Sequence, residues 1–168
     1  MNIPTWITVS RLGAIPLIFW LLLEPTSEHR WWATAIFLVA ACTDWLDGYL
    51  ARRLHQVTEL GKFLDPLVDK LLVLSPLLAL IELGTVPAWG VFLILARELV
   101  IAGWRVNPWL QKTVVAASQW GKAKTVVQIA AIAMLLSPLA VPYAPIALAL
   151  FWLAVLLTLI SGVVYLRS

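Results

Sequence analysis

Every aspartate in this sequence falls between Asp44 and Asp69, in the pattern Asp44-x2-Asp47-Gly48-x2-Ala51-Arg52-x8-Gly61-x3-Asp65-x3-Asp69. The surrounding residues are apolar enough to span a membrane, where a carboxylate costs about 2.5–3.5 kcal/mol to insert. Four together cost about 10 kcal/mol before they repel one another. Something must offset that penalty, and a bound divalent cation is the simplest candidate. A donor set made of carboxylate oxygens suits Mg²⁺ or Mn²⁺ rather than Zn²⁺, for which cysteine and histidine would be expected.

Helical spacing brings these groups together. Asp44, Asp47, Gly48, Ala51 and Arg52 recur at three- and four-residue intervals and share one face of a helix. Gly61, Asp65 and Asp69 are spaced by four and share a face of the next, antiparallel helix. By helical rise, Asp44 lies about 13 Å inward from Arg53 and Asp69 about 10 Å inward from Lys62, with Asp47 and Asp65 about 9 and 5 Å deep. The two faces then enclose one pocket open at the basic end. Taken singly, Asp65-Pro66 reads as a helix start and Asp47-Gly48 as a turn. Neither accounts for the joint pattern, in which two glycines and an alanine keep the same faces bare.

The elements that carry this pattern are membrane helices. Of 168 residues, 62% are hydrophobic and 12% charged, against about 25% charged in a soluble domain. Mean hydropathy is +0.92. Apolar segments run over Trp6–Leu23, Trp31–Arg53, Leu64–Leu83, Pro87–Trp104, Trp120–Leu139 and Pro145–Leu166, each long enough for about 30 Å of hydrocarbon. The expected fold is therefore all-α, a polytopic bundle of six transmembrane helices forming a single domain over residues 1–168. The first segment lacks the flanks of a signal peptide and reads as a retained helix. Trp6, Trp31, Trp32, Trp89, Trp104, Trp109 and Trp120 lie near segment ends and suit an interfacial belt. Trp45 and Trp152 lie mid-segment and are expected between helices. Cys42 reads as a small buried hydrophobe, and His29 and His55 as solvated loop residues.

Basic residues set the orientation. Arg52, Arg53 and Lys62 fall in the second connection, Arg105, Lys112, Lys122 and Lys124 in or beside the fourth, and Arg167 at the C-terminus. The first connection has only Arg30, and the third and fifth have no lysine or arginine. The positive-inside rule places both termini and the aspartate pocket on the cytoplasmic side. The basic side can attract anionic membrane lipids or phosphorylated metabolites. No nucleic-acid partner is expected.

The eight specified positions match the signature of the CDP-alcohol phosphotransferase family, and the chain resembles that family at each of them. The resemblance extends to Asn2-Ile-Pro-Thr5-Trp-Ile-Thr8-Val-Ser-Arg11, to Ala96-Arg97-Glu98 through Arg105, and to Trp120-Gly121-Lys122-Ala-Lys124-Thr125. It implies a metal-dependent enzyme of phospholipid synthesis in the cell's inner or plasma membrane. CDP-diacylglycerol would pass its phosphatidyl group to sn-glycerol 3-phosphate, giving phosphatidylglycerophosphate and CMP. It also implies two bound ions and a homodimer. Asp44, Asp47 and Asp65 would be metal ligands. Asp69 would be the general base and a further contact to the metal. Gly48, Ala51 and Gly61 would let the cytidine diphosphate lie close to the backbone, and Arg52 would neutralise one of its phosphates.

The acceptor side calls for cations. Arg97 lies about 12 Å deep by helical rise from Arg105, level with the carboxylates, and an intramembrane arginine is a functional candidate. Its neighbour Glu98 points elsewhere on a helix, so no local salt bridge is expected. Arg105, Lys122 and Lys124 are further candidates for the acceptor phosphate, and Arg11 is available to either substrate. Two alternatives stay open. One is the same family with another acceptor, such as inositol phosphate. The other is a divalent-cation transporter, although the sequence has no second acidic site to continue a path.

Overall fold

A computed structural model describes residues 3–54, 59–106 and 119–167, with side chains over 10–43, 67–104, 121 and 123–166. Among these residues the fold is all-α, with six helices in the expected order. They are α1 (Ile3–Leu23), α2 (Ser27–Leu54), α3 (Glu59–Glu82), α4 (Ala88–Val106), α5 (Gln119–Leu136) and α6 (Ala144–Arg167). A short 3₁₀ turn, Pro138–Ala140, precedes α6.

Local chemistry explains where the helices start and stop. Thr26 caps α2, its Oγ1 accepting the His29 backbone N–H at 3.2 Å, as an N-cap threonine does. That cap starts the helix a turn before Trp31 and brings His29 into it, so His29 is not a loop residue. Its Nδ1 lies 2.7 Å from the Glu24 carbonyl, and its ring packs 6.3 Å from that of Trp20. At the far end of α3, Gly84 has φ +67°. The Gly84 N–H reaches the Ile81 carbonyl at 2.9 Å, and the Thr85 N–H reaches that of Leu80 at 2.9 Å. This is the paired closure of a helix C-terminus that glycine permits. At its other end α3 begins at Glu59 and continues through Asp65-Pro66, so Asp65 lies inside a helix and does not cap one.

An arginine ties α2 to the end of α5. Arg30 Nε donates to the Leu136 carbonyl at 3.0 Å, and Nη2 to that of Leu135 at 2.8 Å. A helix leaves its last carbonyls without intrahelical partners, and a cation there also meets the negative end of the dipole. Burial lowers the Arg30 pKa from its ordinary value, but a guanidinium stays charged at any working pH.

The bundle is polarised along its axis. Phe37, Leu77, Leu80, Ile132, Leu135, Leu136 and Phe151 are almost fully buried and form a dry core towards the end where α2, α4 and α6 begin. Towards the other end the buried residues include the ionisable Arg11 and Lys124 together with Gln128, Thr158 and Ser161, whereas the buried polar residues near the core end are the hydroxyls Thr34, Ser75 and Ser137. Gly90 admits α6 against α4, since a Cβ there would lie 2.7 Å from the Phe151 ring. Trp152 packs in the same seam, 4.3 Å from Trp89, as its mid-segment position implies.

The outer surface is apolar on every helix. Trp20, Val39, Leu71, Phe92, Val126 and Leu156 are all exposed. Cys42 joins this surface and is not a core residue, because it follows Val39 on the outward face of α2. Ala144–Leu166, with 23 residues and mean hydropathy 2.5, is long and apolar enough to cross a membrane. Among the described residues Ser10–Leu23 and Ala123–Leu136 are shorter apolar stretches.

Candidate active site

Two helices joined by a short connection carry the aspartate pattern. Asp44, Asp47, Gly48, Ala51 and Arg52 lie on the last turns of α2, and Gly61, Asp65 and Asp69 on the first turns of α3. The connection from Leu54 to Glu59 keeps these two ends together. The side chains of Asp44, Asp47, Ala51, Arg52 and Asp65 lie outside the described residues, as do Gly48 and Gly61 beyond their helical backbone. Among the described residues no three His, Cys, Asp or Glu side chains lie together. Asp69 is the described member of the set.

Arg11 reaches Asp69 from α1. Its Nη1 donates to Asp69 Oδ1 at 2.8 Å. The arginine side chain is 2% exposed and the aspartate side chain 41%. A buried guanidinium thus anchors a carboxylate that still opens to its surroundings. Arg11 was legible as an ionisable group inside an apolar segment, but its partner was not. Pairing an arginine of α1 with α3 depends on the two helices packing together, which they do.

A second polar cluster joins α4, α5 and α6. Glu98 Oε1 accepts Arg97 Nη1 at 3.0 Å and also Lys124 Nζ. Arg97 Nη2 donates to Ser161 Oγ at 3.0 Å. The expectation that Arg97 and Glu98 would not pair is therefore incorrect. Successive helical residues diverge at Cβ, but these two side chains are long enough to converge when neighbouring helices deny them water. Gly162 leaves space for the arginine, since a Cβ there would lie 2.9 Å from Arg97 Cγ. Glu98, Ser161 and Gly162 join this cluster without having been singled out by the sequence. Glu98 had a usable signal, being an acid buried in an apolar helix. Ser161 and Gly162 had none, because small residues in α6 fit any helix contact. The side chains of Arg105 and Lys122 lie outside the described residues.

The two clusters meet at one cavity of about 420 Å³, lined by Asp69, Glu98 and Lys124 among others. Among the charged residues that line the cavity, Lys70 and Lys124 stand against Asp69 and Glu98, with Arg97 paired to Glu98 alongside, so cations are present that an anion can answer. Asp69 on the same wall offers a proton acceptor. The oxygen-only donors of the aspartate pattern fit a hard divalent cation in chemistry.

Residues 1–160 match the model of a family described as CDP-alcohol phosphatidyltransferase. The CDP-diacylglycerol–glycerol-3-phosphate 3-phosphatidyltransferase of Bacillus subtilis is 38% identical over 179 residues, covering 96% of this chain and 91% of that protein. The Escherichia coli K12 protein of the same name is 41% identical over 177 residues, covering 99% and 94%. A probable phosphatidylglycerophosphate synthase of Mycobacterium tuberculosis is 40% identical over 167 residues, covering 98% and 79%.

Proposed function

This chain belongs to the CDP-alcohol phosphatidyltransferase family, and we propose on that premise that it makes phosphatidylglycerophosphate from CDP-diacylglycerol and sn-glycerol 3-phosphate. The supporting relatives carry that acceptor in their names. The observation that carries the reading is a single cavity lined both by Asp69 of the signature and by the cation Lys124.

Asp69 takes the proton of the acceptor hydroxyl. The freed oxygen bonds to the phosphorus bearing the diacylglycerol, the P–O bond to cytidine monophosphate breaks, and CMP leaves with the electron pair. A positioned base contributes about 10²–10⁴-fold to such a step. Arg11 fixes the direction in which Asp69 faces. Asp44, Asp47 and Asp65, with Asp69 at their edge, are the residues to hold two Mg²⁺ or Mn²⁺ ions. When bound, such ions neutralise charge on the phosphate oxygens during in-line transfer. Arg52 and the bare faces at Gly48, Ala51 and Gly61 receive the cytidine diphosphate. Arg97, Arg105, Lys122 and Lys124 form the acceptor-phosphate side, with Glu98 holding Arg97 and Lys124 in place.

The chain acts as a single domain over residues 1–168. It lies in the inner or plasma membrane with six spans, both termini and the active site facing the cytoplasm, and it pairs as a homodimer. Large apolar side chains exposed on all six helices support a lipid-facing surface, since water-soluble monomers rarely expose contiguous apolar patches beyond a few hundred Å². The reading is tested by mass analysis of the lipid product across an acceptor panel of glycerol 3-phosphate, inositol phosphate and serine. Phosphatidylglycerophosphate should dominate. A product built on another alcohol would keep the family and discard this acceptor.

A further inference from the structure

The cavity changes character along its length. One end carries Asp69, Glu98 and Lys124, and the other is walled by Phe37, Leu77 and Ile94. Gln128 lines the cavity at the junction, one turn along α5 from Lys124 towards the apolar end. The residue is 5% exposed, and its amide Nε2 is buried with no hydrogen-bond partner among the described residues. A buried donor left without an acceptor carries a cost in stability. A purely hydrocarbon occupant would leave that cost standing.

We propose that Gln128 is a subsite for an ester carbonyl of the donor lipid, with its Nε2–H donating to the carbonyl oxygen. The proposal rests on the phosphatidyl-transfer reading and specifies how the lipid part of the donor is recognised. Two features select this ligand. The missing partner is an acceptor, which a carbonyl supplies. The wall beyond Gln128 is apolar, as the first methylenes of an acyl chain require. A nucleotide or sugar phosphate would have to place polar groups against Phe37 and Leu77.

Ether-linked donors lack the carbonyl and keep everything else. CMP release is measured in detergent micelles with CDP-glycerolipids carrying two ester-linked or two ether-linked chains of equal length, at matched mole fraction with saturating glycerol 3-phosphate. The wild-type chain should favour the diester in kcat/KM by about three- to tenfold, the value of one neutral hydrogen bond. Gln128→Met should bring that preference within about twofold by lowering the diester value, having lost the same bond. Equal use of both donors by the wild type, or an undiminished preference in Gln128→Met, would overturn the subsite and leave a trapped water as the partner of Gln128. The wild-type comparison needs no variant, so it decides even if Gln128→Met fails to fold. CMP released equally from both donors defeats the subsite alone. No CMP from either defeats the phosphatidyl-transfer reading and the subsite with it.

Discussion

Asp69 and Glu98 are the two carboxylates whose surroundings are best defined, and they do opposite work. Asp69 has the buried Arg11 guanidinium on Oδ1 and remains half-open, as the proposed base needs to be. Asp69→Asn keeps an oxygen able to accept from Arg11 but cannot act as a base. Turnover should fall by about 10²–10⁴-fold, while binding of CDP-diacylglycerol, followed by equilibrium titration, stays within a few fold. Near-normal turnover would remove Asp69 from the base role. Glu98, by contrast, is shared by Arg97 and Lys124, and both cations depend on it. Glu98→Leu should cost about 2–4 kcal/mol, because removing one member of a buried ionic group strands the others. Adding Lys124→Met should restore part of that loss in a double-mutant cycle on thermal unfolding. Strict additivity would mean that the pair does not interact.

At the scale of the helices, the pattern of apolar segments located all six, with starts moved by caps that hydropathy does not register. Thr26 begins α2 before its apolar run, and α3 begins before Asp65 because Pro66 is accommodated inside it. The aspartate faces were legible because a helix repeats at three and four residues, a local property. Pairings between helices were not legible, since Arg11 with Asp69, Lys124 with Glu98 and Arg97 with Ser161 depend on packing partners distant in sequence. Arg30 belongs to this second kind. As the lone cation of the first connection it has no partner that the sequence identifies, and it closes the end of α5. Arg30→Met should lower unfolding free energy by about 1.5–3 kcal/mol, the range for hydrogen bonds to a charged group. Hydrogen exchange should rise in the last turn of α5 before it rises in α3. Unchanged exchange there would show that the carbonyls find other partners.

The whole molecule divides along its axis into a part that holds and a part that reacts. The apolar core around Phe37, Leu80 and Phe151 fixes the helices at one end. The other end can then carry buried charge, the polar end of the cavity and the aspartate signature without losing its packing. Of the four aspartates, Asp69 has its cost offset by the buried Arg11 guanidinium, and the proposed cations would do the same for the others. The decisive measurement is CMP release by the purified chain with CDP-diacylglycerol, with and without Mg²⁺ or Mn²⁺ and with and without glycerol 3-phosphate. Release should require both metal and acceptor, and should stop when a chelator is added. Release that ignores the chelator, or no release from folded protein with any acceptor, would contradict metal-dependent phosphatidyl transfer at these aspartates.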